Sequence, residues 1–160
     1  MVTNMREINC SVLGDADSRE TSVLEEPIKA EEILSYGDKY MGGGMHAAQK
    51  RIPAQIPENQ AEECRRLAAE TFRILSCHGV SRVDLIIDED VNKVYVNEIN
   101  TIPGSLSYYL WEAAGLTFEQ LLDRLVKLAL KRRRDEQSKT TSFNSNIFAM
   151  GGGLKGGIKK

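Results

Sequence analysis

No stretch of this sequence reaches the roughly 18 uninterrupted apolar residues that span a bilayer, and its first ten residues hold no positive flank leading into an apolar run. A membrane partner is therefore not expected, and the expected location is the cytoplasm. An excess of either charge is lacking too. With 21 Lys and Arg against 23 Asp and Glu, the formal net charge is -2, so no global basic field points to nucleic acid. Cysteine is scarce: Cys10, Cys64 and Cys77 form an odd set without C-x-x-C spacing, which argues against a disulfide framework or a thiolate zinc site. All three read as small packing residues in a reducing compartment. The two histidines, His46 and His78, have no second imidazole at ligand spacing, so neither is assigned to a metal. There is no internal repeat. What remains is 160 residues, 41% hydrophobic and 28% charged, the balance of one soluble unit with a core of its own.

Ile8, Cys10 and Val12 alternate with Glu7, Asn9 and Ser11 in the period of a half-buried strand. A domain that opens on such a strand is expected to be part of a larger fold. Residues 28–36 suit a short strand or irregular edge, and the four glycines between Gly37 and Gly44 suit a mobile loop. Between 58 and 75, Ala61, Cys64, Ala68, Phe72 and Leu75 fall on one face of a helix. Thr117 and Gln120 form a capping box flanked by Leu116 and Leu121, which predicts a helix whose buried stripe is Leu121, Leu122, Leu125, Leu128 and Ala129. Trp111, Tyr108 and Tyr109 are expected to pack against it. Lys131 to Arg134 then suits the negative end of the helix dipole better than a nucleic-acid patch. Residues 135–160 turn polar and rich in glycine and lysine, and are expected to form a disordered tail behind a folded part of residues 1–134.

The chemistry concentrates in two runs, S-R-V-D-L-I-I-D and K-V-Y-V-N-E-I-N, joined by a polar turn, which together predict a hairpin. With a three-residue loop of Asp90, Val91 and a left-handed Asn92, Glu89 pairs with Lys93. Counting back places Asp84 opposite Glu98 and Arg82 opposite Asn100, with Val94 and Val96 expected on the face of Glu98 and Asn100. Two carboxylates and an amide oxygen are hard donors, of the kind that Mg2+ takes together with water and phosphate oxygens. The alternative from these residues alone is an ordinary two-sided hairpin, its acids facing solvent and screened by Arg82.

The next segment decides between them. R-E-I-N-C-S-V-L-G at the start, D-K-Y in the loop, S-R-V-D, and N-E-I-N-T-I-P-G-S-L-S together resemble the D-alanine:D-alanine ligases of the ATP-grasp superfamily, over roughly residues 6 to 130. The resemblance implies an α+β fold, the ATP-grasp C-terminal subdomain, with a mainly antiparallel sheet and packed helices. It implies ATP-dependent joining of two D-alanines through an acyl phosphate, for peptidoglycan synthesis. Asp84, Glu98 and Asn100 match the family's ligands for two Mg2+ ions, for which Mn2+ can substitute. Arg82 and the backbone N–H of Gly104 match its oxyanion supports. Glu7 matches the acid on the ATP ribose, and Lys39 and Tyr40 match the lysine and tyrosine of a closing loop.

Departures accompany these matches. Ser105 and Ser107 lie near the position of a hydroxyl that contacts the second substrate, but Tyr109 aligns with it best. The lid at residues 42–50 is shorter than the family's. Nothing before Met1 corresponds to the family's N-terminal and central domains, so the expectation is a truncated chain needing a complementary half. The alternative function is a non-catalytic fragment that binds Mg-nucleotide weakly or docks on such a half; a homodimer is a further expectation.

Overall fold

The computed structural model describes residues 4–28 and 50–139. Five strands form one antiparallel sheet in the order β3-β2-β1-β4-β5: β1 (Met5–Gly14), β2 (Arg19–Pro27), β3 (Lys50–Arg51), β4 (Gly79–Asp88) and β5 (Lys93–Asn100). Helix α1 (Glu58–Ile74) lies between β3 and β4. A short 3-10 turn (Gly104–Ser107), α2 (Tyr108–Ala113) and α3 (Phe118–Ser138) follow β5. The strand expected at 28–36, the glycine loop and His46 fall outside the described residues.

Alternation along the strands makes the two faces different. Ile8, Cys10 and Val12 of β1 join Leu24 of β2 and Val83, Leu85 and Ile87 of β4 on one face, where Ala61, Cys64, Ala68 and Phe72 of α1 cover them. The helical face expected from spacing is thus the buried one, except that Leu75 ends 55% exposed because the helix stops before it. Cys10 and Cys64 meet in this core, where burial pushes the Cys10 thiol up to about 12 and the Cys64 thiol to about 11. Both are packing groups rather than nucleophiles.

On the opposite face the described helices cover one end. There Leu13 and Val80 pack under Trp111 of α2 and Leu121 of α3, with Leu125 and Leu128 partly buried beside them. Thr117 caps α3 through the expected reciprocal pair, its Oγ1 accepting from the Gln120 N–H at 3.3 Å while Gln120 Oε1 accepts from the Thr117 N–H at 3.0 Å. The buried stripe is narrower than the leucine spacing predicts. Leu122 is 40% exposed and Ala129 is exposed as well, because the apolar contact of α3 with the sheet runs along Leu121, Leu125 and Leu128. The helix also runs to Ser138, beyond the composition break after Arg134; residues 140–160 lie outside the described part.

The turn between β1 and β2 is tied to α3 by a buried acid. Asp15 accepts from the backbone N–H groups of Asp17 and Ser18 at 2.9 and 2.8 Å, and from Lys131 Nζ at 2.7 Å. Chiefly the Lys131 hydrogen bond holds its carboxyl below the ordinary 3.8, at about 2. A depressed folded value means that this contribution is complete above pH 4 and disappears as pH falls through about 2. Asp15→Asn should therefore lower stability at neutral pH by about 1 to 2 kcal/mol, a figure reduced because Lys131 is partly solvated. Thermal melts of the two proteins should converge as pH falls from 4 to 2, and a gap independent of pH contradicts the assignment.

Candidate functional site

The rest of the second sheet face carries the polar residues. Asp84 stands directly opposite Glu98, and Arg82 opposite Asn100, so all four side chains share that face. The pairing arises differently from the simple count. The loop has four residues, since Asp88 rather than Glu89 pairs with Lys93, and Asn97 is an extra residue in β5 between the Leu85–Val96 and Asp84–Glu98 pairs. Longer turn and bulge cancel. The bulge also reverses the faces along β5, so Val94 packs into the α1 core with Ile99 instead of sharing a face with Glu98. Asn92 adopts the expected left-handed conformation, φ 50°.

Arg82 grips Asp84 with a two-pronged fork, Nε to Oδ1 at 2.7 Å and Nη2 to Oδ2 at 2.8 Å. That contact raises the Arg82 pKa further above its ordinary value. Asp84 is only 4% exposed, whereas Glu98 is open to solvent and Asn100 is half-buried, its Oδ1 accepting from the Ile102 N–H at 3.1 Å. Among the described residues no cluster of three or more His, Cys, Asp or Glu is spaced to hold a metal by itself. Two carboxylates and one amide oxygen suit an ion that keeps water and phosphate oxygens in its shell, as Mg2+ does. The donor set fits that ion.

Glu7 lies on the same face of β1, opposite Ile86 and two residues before Asn9. Gly104 follows β5 at the start of the 3-10 turn, exposed, with nothing within 4 Å of the place a Cβ would take. After it Ser105, Leu106 and Ser107 are left-handed in succession, φ 50°, 55° and 52°, a conformation costing non-glycine residues roughly 1 kcal/mol each. Ser105 is exposed. Ser107 is fully buried with an unpartnered hydroxyl, so it does not present its oxygen to the face. Lys39 and Tyr40 lie outside the described residues.

Tyr109 departs from the expected packing against α3: Tyr108 makes that contact, edge-on to Phe118 at 5.0 Å, while the Tyr109 hydroxyl donates to Glu25 of β2. Glu25 is 1% exposed and also forms an ion pair with Lys50 Nζ at 3.1 Å; Lys50 in turn sits 4.1 Å above the Tyr109 ring. Burial, reinforced by Glu25, pushes the phenol upward, so it remains a donor. Glu25, Lys50 and Asn9 were not legible as site residues, because the polar-apolar alternation of β2 is broken by the paired Glu25-Glu26. Two cavities among the described residues lie along α3, one of them of about 410 Å³ lined by Gly14, Arg19, Arg124 and Lys131.

Tyr109→Phe removes a donor from a buried carboxylate and should destabilise the chain by about 1 to 3 kcal/mol in urea unfolding. An unchanged midpoint would show that Lys50 alone satisfies Glu25.

Three comparisons bear on this geometry. The family model described as D-ala D-ala ligase C-terminus matches residues 1–127. The D-alanine–D-alanine ligase of Thermosipho africanus is 41% identical over 143 residues, 89% of this chain and 38% of that protein. The structure of the D-alanine–D-alanine ligase from Coxiella burnetii superposes with TM-score 0.68 at 32% identity, covering 84% of this chain and 34% of that one. The VanG D-Ala:D-Ser ligase of Enterococcus faecalis follows with TM-score 0.62 at 29% identity, over 78% and 36%. The chain thus spans about two fifths of the length of the curated relatives it matches. By sequence model, by relatives and by fold, the chain belongs to the D-ala D-ala ligase C-terminus family.

Proposed function

We propose that this chain supplies the metal-binding half of an ATP-dependent ligase that joins two D-alanines for peptidoglycan synthesis in the cytoplasm. The observation carrying the reading is the pairing of Asp84 with Glu98 and of Arg82 with Asn100 on one sheet face. Two acids directly opposite each other repel, and a sheet keeps such a pair at a cost unless a cation stands near. Arg82 offsets part of that charge at Asp84, and Glu98 is left to solvent.

Asp84, Glu98 and Asn100 would hold two Mg2+ ions, or Mn2+ in their place, which neutralise charge on the ATP phosphates during phosphoryl transfer. Arg82 has donors beyond the two it gives Asp84, and these are directed at oxyanion charge with the Gly104 N–H as a second donor. Glu7, an acceptor-only carboxylate on the same face, takes the ATP ribose hydroxyls. Lys39 and Tyr40 close the site over the phosphates. Tyr109, with Ser105 at the mouth and Ser107 beneath, borders the second D-alanine.

A complementary half or a second copy completes the site beside the exposed Glu98. The other reading, a non-catalytic piece that binds Mg-nucleotide weakly or docks on such a half, draws support from the same exposure of Glu98.

The test is calorimetric titration of MgATP into the chain, with Asp84→Ala and Glu98→Gln as controls, followed by phosphate release with D-alanine. Binding should fall at least tenfold in both variants. Dipeptide should form in step with phosphate, alone or on adding the N-terminal portion of a relative, and vanish in Glu98→Gln. Equal heats for all three proteins reject the metal-nucleotide assignment; binding without any turnover in either arrangement leaves the non-catalytic reading.

A further inference from the structure

Across the middle of the polar face four strands contribute one row in register: Glu25 of β2, Asn9 of β1, Asp84 of β4 and Glu98 of β5. The Glu25 carboxylate is met by Tyr109 and Lys50, that of Asp84 by Arg82, and Glu98 faces water. Asn9 is the exception. It is 6% exposed, and its buried Oδ1 has no hydrogen-bond partner among the described residues.

An unpartnered amide oxygen in the central strand of a sheet is costly, and asparagine is a poor strand former, so a valine there would serve folding better. Its neighbours in the row, the carboxylates of Glu25 and Asp84, are engaged by Tyr109, Lys50 and Arg82 and donate no hydrogen bond to it. The group that satisfies this oxygen beside two acids is a donor carrying positive charge. Water polarised by a divalent cation is such a donor, and an ion bound through few protein ligands retains several waters.

We propose that Asn9 is a further positioning residue of the site, its Oδ1 accepting a hydrogen bond from a water bound to the divalent cation at Asp84. The inference rests on the metal-nucleotide reading above. Under it, the unpaired oxygen is a cost to the free chain that binding relieves, and Asn9 helps to fix the orientation of the ion's shell beside Asp84.

The experiment uses the full chain and Mn2+ with ATP as probe, with free Mn2+ followed by electron paramagnetic resonance, together with melting of the metal-free proteins. Asn9→Val should raise the melting temperature while weakening Mn2+ binding about tenfold or more. Asn9→Asp, which keeps the shape and adds charge, should tighten binding. Valine binding within twofold of the wild type overturns the proposal, as does a lower melting temperature with unchanged affinity, the mark of a purely structural asparagine. Should the valine variant not fold, weaker binding by Asn9→Asp overturns it alone. Asp84→Ala separates the two failures: if it binds Mn2+ like the wild type, the reading of the whole site falls; if it binds weakly while Asn9→Val does not, only the role of Asn9 falls.

Discussion

The polar face depends on the pairing of β4 with β5, and that pairing on one unpaired residue. Asn97 lets Glu98 stand opposite Asp84; without it the register beyond the turn would set Glu98 against Val83 and drive its carboxylate into the core under α1. The same bulge brings Ile99 back to the apolar side, where it packs with Val94. A single extra residue therefore serves both layers, giving the core its hydrophobe and the open face its acid.

Charge on that face is balanced locally. Arg82 spends two donors on Asp84 through the spacing of alternate residues in one strand, and Glu25, deeper in the sheet, is matched by Tyr109 and Lys50 from elements far apart in sequence. Those contacts give both buried carboxylates partners. The Oδ1 of Asn9, in the same row, has none among the described residues.

The second face is also where the fold is unevenly clothed. Trp111 and Leu121 cover Leu13 and Val80, and Trp111 Nε1 donates to Ser11 Oγ at 2.9 Å, marking the border between apolar and polar halves. Beyond that border the polar row of Glu25, Asn9 and Asp84 is buried too, while Glu98 at its end is exposed. The left-handed run Ser105–Leu106–Ser107 turns the chain from the end of β5 into α2, which brings Tyr109 over Glu25. Strain in the turn and burial of an acid are thus linked, since the one positions the partner that the other requires.

Much of this was legible residue by residue. The strand from Glu7 to Leu13, the helical face of Ala61, Cys64, Ala68 and Phe72, and the capping box at Thr117 are local patterns, set by backbone geometry that sequence spacing reproduces directly, although the strand is buried on both faces rather than one and Leu75 falls outside the stripe. Tertiary structure decided what spacing could not carry. A four-residue turn and a bulge give the same register as a three-residue turn and no bulge, and only the paired strands distinguish them. Whether Leu122 or Leu125 is buried depends on where α3 crosses the sheet. The partners of Glu25 come from positions 50 and 109, a proximity that no local rule contains, because it is created by antiparallel strands and a returning helix rather than by neighbours along the chain.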